Sequence, residues 1–157
     1  MVKFAFIVHL RTFEDIVHTL PLPKFLVLIL KPILLFIFSN LRGRLGFSVR
    51  GKFRINNETE GHIVIIWLTG KQVMDIGKIH KVRQRILEAV LYAQNTLGCR
   101  IIGLGALTSS VTDAGQWLVR QPGVKVAVTH GDTYAAAVAF QGIQKLASQL
   151  ILNLEKT

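Results

Sequence analysis

Two short stretches hold most of the side chains that could do chemistry. One is Gly103-Leu-Gly105-Ala-Leu-Thr108-Ser-Ser110 and the other is Thr129-His-Gly-Asp-Thr133. Each joins small hydroxyls to glycine beside an expected helix start, where backbone N–H groups can face an anion or a polarised carbonyl. Gly105, Thr108, Ser109 and Ser110 on one side, with Thr129, His130, Gly131, Asp132 and Thr133 on the other, are the candidate lining of a substrate or cofactor cleft. Helix capping accounts for any single hydroxyl better than a cleft does, and Asp132 or Thr133 is a natural N-cap for the final helix.

More specific chemistry is weakly supported. Gly103-Leu-Gly105 follows a strand as a dinucleotide fingerprint would, but the third glycine is missing and no acid closes the next strand, so a tight turn is the other reading. His130, Asp132 and Ser109 or Ser110 supply the residue types of a hydrolytic triad without a G-x-S-x-G elbow. One residue separates His130 from Asp132, too few for them to orient each other, so no catalytic residue is assigned. Cys99 lies between a helix stop and a strand, where a cysteine acts as a small hydrophobe. The spacing of His9, His18, His62 and His80 matches no metal site.

The elements that must position these loops alternate. Lys3–Leu10, His62–Leu68, Arg100–Ala106 and Val124–Val128 read as strands, and Thr12 opens a short helix. Leu41 to Arg54 is Gly-rich and basic, and 56–61 is a turn. Val73, Ile76, Ile79, Val82, Ile86, Val90, Ala93 and Leu97 recur at helical spacing, which predicts one long helix over 72–97 stopped by Gly98. A short helix near 114–120 and a final helix over 134–150 complete the series. The pattern predicts an α/β domain of three αβα layers with a mostly parallel sheet, spanning all 157 residues. Ligands bind such sheets at the carboxyl ends of the strands, where both candidate loops emerge.

The formal charge of +10 favours an anionic partner. An arginine-rich arm, zinc-ligand spacing and an RNP-like motif are all missing, so nucleic acid is not the expected partner. Lys78, Lys81 and Arg85 share one face of the long helix and form a candidate docking site for an acidic carrier protein or another anion; a solvated helix face is the alternative. A single cysteine fits a reducing cytoplasm, and the first apolar run lacks a signal-peptide cleavage site.

Residues 24–40 are the anomaly. Two six-residue apolar runs flank Lys31-Pro32, whereas a spanning helix needs roughly 20 mostly apolar residues. Pro32 would kink a helix here, and Lys24 and Lys31, seven apart, could snorkel from one face. Arg42 and Arg44 follow and suit an anionic lipid surface. The segment therefore predicts an extra apolar helical element lying in a membrane interface, with Phe25, Leu28, Leu35 and Phe38 as contacts. A core helix, a helix shared between two copies of the chain, and a true span are the alternatives.

The order of these pieces resembles the N-terminal region of the long-chain acyl-(acyl-carrier-protein) reductases, the fatty-aldehyde-forming enzymes among the NAD(P)-dependent dehydrogenases. The opening strand ending in His9-Leu10 carries the likeness, as do Glu60–Thr69 leading into the basic helix, and Ala93-Gln94. So do Ile101–Ser110, similar to the family's Ala-Leu-Gly-Gly-Phe-Ser-Ser run, and Thr129–Ala136, similar to its Thr-Gly-Asn-Thr loop. The chain is also similar to the N-terminal domains of amino-acid and shikimate dehydrogenases. The apolar segment and Gly105-Ala-Leu-Thr108, which stands where the family has paired glycines, depart from it. The resemblance implies a substrate-side domain for a fatty acyl thioester, with acyl carrier protein as partner, and the apolar segment adds the expectation of peripheral attachment to the membrane on its cytoplasmic side. The resemblance further implies that NAD(P)H is bound mainly by a following domain absent from these residues. A non-catalytic module binding a lipid or a partner at a membrane surface is the competing expectation.

Overall fold

A computed structural model describes residues 1–12, 23, 25–26, 29–30, 32–33 and 46–149. Five strands form one sheet: β1 (Val2–Leu10), β2 (Phe47–Asn56), β3 (Thr59–Thr69), β4 (Ile101–Leu104) and β5 (Ala127–Thr129). Their order is β2-β3-β1-β4-β5. β1 pairs in parallel with β3 and β4, β4 pairs in parallel with β5, and only β2 runs antiparallel, at the β3 edge. The expected mostly parallel α/β sheet is present.

From Gly46 onward the helices among the described residues are α1 (Gly70–Val73), α2 (Ile79–Asn95), α3 (Leu107–Val111), α4 (Gln116–Val119) and α5 (Asp132–Gln149), with a 3-10 turn at Ile76–Lys78. α2 lays Val82, Ile86, Ala89, Val90 and Ala93 onto one sheet face, against Ala5 and Ile7 of β1, Val64 and Ile66 of β3, and Ile102 and Leu104 of β4. The helical period on one partner and the alternation on the other meet in that core. Cys99 is buried among these residues, and burial pushes its thiol pKa up, so it remains an unionised core side chain.

One expectation needs correction. The predicted helix over 72–97 is broken, because Asp75 accepts the Gly77 N–H at 3.2 Å and caps the 3-10 turn, so the long helix starts only at Ile79. Ile76, assigned to the buried stripe, is 85% exposed. Phe47–Asn56, most of the basic stretch to which the sequence pattern assigned no element, is strand β2, with breaks in register between Val49 and Gly51 and between Arg54 and Asn56. Across the first break the apolar residues change face, Phe47 and Val49 pairing with Ile66 and Val64 on the core side and Phe53 with Gly61 on the other, and the exposed charges of Arg50, Lys52 and Arg54 guard a sheet edge.

The opposite sheet face is apolar and half open. By register it carries Phe4 and Phe6, Ile63 and Ile65, Ile101 and Phe53, and Phe6 is 42% exposed. Phe4 and Phe53 meet edge-to-face at 5.6 Å above Gly61, where a side chain would collide with both rings.

Topology also fixes the two ends of the connection that contains the apolar segment. β1 ends and antiparallel β2 begins at the same sheet edge, so the connection from Arg11 to Gly46 leaves and returns at the carboxyl ends of the parallel strands. That edge also carries both candidate loops.

Candidate functional site

Strand order identifies the crevice. The chain leaving β1 next joins the sheet on the β3 side, whereas the chain leaving β4 joins it on the β5 side. The two exits therefore diverge between β1 and β4, the position where open α/β sheets hold ligands. His9 stands there, on the last turn of β1. Its Nδ1 lies 2.6 Å from the Leu10 carbonyl and donates to it, which fixes the tautomer and leaves Nε2 as an acceptor facing the Leu107 N–H at 3.4 Å. Gly70 packs against this ring, its missing side chain leaving 3.3 Å to His9 Cε1. Histidine spacing gave no reason to single out His9; its place at a strand's carboxyl end was the available signal.

The Gly103–Ser110 loop is built for packing. A side chain at Gly103 would come within 2.6 Å of the Phe6 ring, and one at Gly105 within 2.8 Å of Phe6 and Val8. The glycines make room for neighbouring strand side chains. Gly105 N–H donates to the Ile7 carbonyl and Thr108 N–H to the Gly105 carbonyl, and α3 is only five residues long. The loop therefore offers no cradle for a dinucleotide diphosphate. Thr108 is fully buried, its hydroxyl donating to the Gly105 carbonyl at 2.7 Å, so it holds the turn shut. Ser109 is half-buried and Ser110 exposed, which makes them the hydroxyls this loop can present.

Gly103 pairs with Thr129, which brings the second loop to the same edge. Gly131 has φ +79°, the left-handed conformation expected of glycine there. Gly131 also takes the N-cap position that Asp132 or Thr133 was expected to fill, since its carbonyl accepts the Ala135 N–H and α5 begins at Asp132. Asp132 turns back instead, with Oδ2 2.8 Å from His130 Nδ1. The expectation that these two are too close in sequence to orient each other is thus overturned. The left-handed residue between them reverses the chain. The Asp132 backbone N–H faces the same Nδ1 at 3.4 Å, and the shorter 2.8 Å carboxylate contact outweighs it, favouring a proton on Nδ1 with Nε2 left as the acceptor.

The three docking candidates share one cavity. Lys78, Lys81 and Arg85 line a pocket of about 430 Å³ together with Leu68, Gln72, Asp75 and Val82. It opens at the carboxyl end of β3, one strand from His9, over the buried side chains of Leu68 and Val82. Lys78 Nζ binds Asp75 Oδ2 at 2.7 Å, and this bond holds the Asp75 carboxyl below its ordinary pKa. Arg83 on the same helix is committed elsewhere, to the Val111 carbonyl at 2.6 Å and to Asp113 at 3.0 Å.

Of the membrane-contact candidates, Phe25 is 64% exposed, while Leu28, Leu35, Phe38, Arg42 and Arg44 lie outside the described residues. Phe25, Ile29 and Ile33 have helical backbone and expose apolar side chains at four-residue spacing. Among the described residues no helix is long and apolar enough to cross a membrane, and no three or more metal-ligating side chains come together. Neither protein-family models nor curated proteins give any match to this chain.

Proposed function

We infer that this chain is the substrate-side domain of a membrane-associated, NAD(P)-dependent reductase acting on a fatty acyl thioester or a similar lipid-like substrate. One observation carries the reading. The apolar connection between β1 and β2 is rooted at the same sheet edge as the His9 crevice and the Ser109 and His130 loops. A substrate arriving from a bilayer would reach that edge first.

In this reading segment 24–40 is an interfacial helix, and a third layer covers the half-open face carrying Phe6 and Ile63. Nicotinamide chemistry belongs to a separate domain, in keeping with a Gly103–Thr108 loop closed by its own packing. Ser109, Ser110, Thr129 and His130 form one wall of the cleft. Lys78, Lys81 and Arg85 steer an acidic carrier protein by long-range charge.

Titration of the chain with a long-chain acyl thioester, followed by tryptophan fluorescence, tests the reading. Saturable binding of the thioester, with no binding of NADPH, is expected. Tight NADPH binding to this chain alone would refute the division of labour. A second reading, a non-catalytic lipid- or partner-binding module, is favoured by the pairing of a basic pocket with an open apolar face, both of which bind without reacting. Coding sequence beyond Thr157 separates the two: an in-frame strand followed by G-x-G-x-x-G supports the reductase.

A further inference from the structure

We propose that α5 is a self-association surface, through which two copies of the chain pair as antiparallel helices about a two-fold axis. The assignment stands apart from the reductase reading, because it needs only α5. Every residue from Ala135 to Leu146 is exposed, and none of them joins the core cluster. Their apolar members are nevertheless ordered. Ala136, Ala139, Ile143 and Leu146 follow one another at spacings of three, four and three, the repeat of a helix–helix seam. Phe140 lies beside that seam, and Phe140, Ile143 and Leu146 are 59%, 57% and 57% exposed. Ala147, the next residue, is buried and bounds the stripe. An exposed apolar seam of this kind marks an interaction surface rather than a solvated helix face.

The pattern selects a second copy. A two-fold contact needs a surface complementary to itself, in which residue i meets j and j meets i. Read backwards about Gln141, the seam sets Ala136 against the partner's Leu146 and Ala139 against the partner's Ile143. Each large side chain then faces a small one, in both halves of the contact, as a knob faces a hole. Phe140 falls one residue from the axis, beside its own counterpart.

Charge agrees with the same occupant. The chain carries +10 overall, so two copies repel wherever their basic surfaces approach. α5 contains one acid, Asp132, and one base, Lys145, so it brings two copies together without that repulsion. The edge strand β2, by contrast, exposes Arg50, Lys52 and Arg54. An anionic bilayer is the poorer occupant, because a helix lying in a membrane interface carries several lysines and arginines on its polar face. Here that face is Gln141, Gln144, Lys145 and Ser148. α5 starts beside His130, so the antiparallel pair sets the two His130 loops at opposite ends, about 27 Å apart along the axis.

Sedimentation equilibrium over a wide concentration range tests the pairing. A reversible dimer is expected, and Ile143→Glu/Leu146→Glu should weaken it roughly tenfold or more. Val138→Glu, exposed but off the seam, should associate as wild type. Circular dichroism checks that each variant folds, and cross-linking with a short bismaleimide reads the register. In the antiparallel pair the two thiols of Ala139→Cys lie about 6 Å apart along the axis and should join, whereas those of Ala136→Cys lie about 15 Å apart and should not. Cys99 is buried, and wild type is the control for it. A monomer at every concentration would overturn the proposal, as would a dimer that the double substitution leaves intact. Equal cross-linking of both cysteine variants would overturn the antiparallel register. A monomeric wild type that floats with liposomes, and a double variant that does not, would assign the seam to a membrane instead.

Discussion

His130 and Asp132 close on each other across a single glycine, with Nδ1 and Oδ2 2.8 Å apart, the Asp132 backbone N–H facing Nδ1 at 3.4 Å and Gly131 at φ +79°. The geometry puts the imidazole proton on the carboxylate side and turns the Nε2 lone pair away from it. A free imidazole in water favours the opposite tautomer, so the pair has a spectroscopic signature. In nitrogen-15 NMR of the neutral form, His130 is expected as the Nδ1–H tautomer, and Asp132→Ala should return it towards Nε2–H with little change in stability, since Asp132 is exposed. An unchanged tautomer in the variant would show that the pair does not orient the ring.

Thr108 and Ser109 are neighbours with opposite fates. Thr108→Val keeps the shape but leaves the Gly105 carbonyl, which receives its 2.7 Å bond, without that donor in a buried site. A loss of about 1–2 kcal/mol in denaturant unfolding is expected. Ser109→Ala should leave stability within about 0.5 kcal/mol and weaken acyl-thioester binding if the cleft reading holds. Reversed effects would exchange the two roles.

What the sequence made legible follows from how each feature is encoded. The core helix face and the paired loops were visible because spacing alone determines them. Lys81 and Arg85 face one pocket for the same reason, since positions four apart share a helix face, whereas Lys78 joins them from the 3-10 turn that precedes α2. β2 was hidden because an edge strand exposes charges on one side and Gly51 interrupts its alternation. The purpose of Gly103 and Gly105 was hidden too. Their neighbour, Phe6, lies almost a hundred residues away in sequence and reaches them only through the β1–β4 pairing. His9 acquires its place from strand order, which no local pattern carries.

Glu60 makes the acid response predictable. Its buried carboxylate bonds Lys52 Nζ at 3.0 Å and His62 Nε2 at 3.1 Å, with Lys3 at 3.9 Å. The hydrogen bond from Lys52 is the main cause holding its pKa below the ordinary 4.5, against the opposing effect of burial. A depressed folded-state pKa contributes stability that is present above the unfolded value and lost as pH falls through the folded one. Wild type should therefore exceed Glu60→Gln in melting temperature at pH 7. The gap should start to close near pH 5 and continue closing below 4.5. A gap independent of pH would mean that Glu60 contributes by shape alone.

The exposed stripe of Phe25, Ile29 and Ile33 decides whether the domain meets a bilayer. The three recur four apart, each has helical backbone, and each is more than half exposed. Burying such a side chain fully is worth about 1.5–3 kcal/mol, so partial insertion of all three would supply several kcal/mol towards an interface. Ile29→Glu and Ile33→Glu together should lower the fraction that floats with anionic liposomes at least tenfold, and high salt should weaken the remainder. Leu28→Glu with Leu35→Glu tests the rest of the segment. If the doubly substituted proteins float as well as wild type, the segment is not the anchor. The apolar stripe would then be left to pack against protein, and the half-open sheet face carrying Phe6 and Ile63 is the apolar surface of this chain that could receive it.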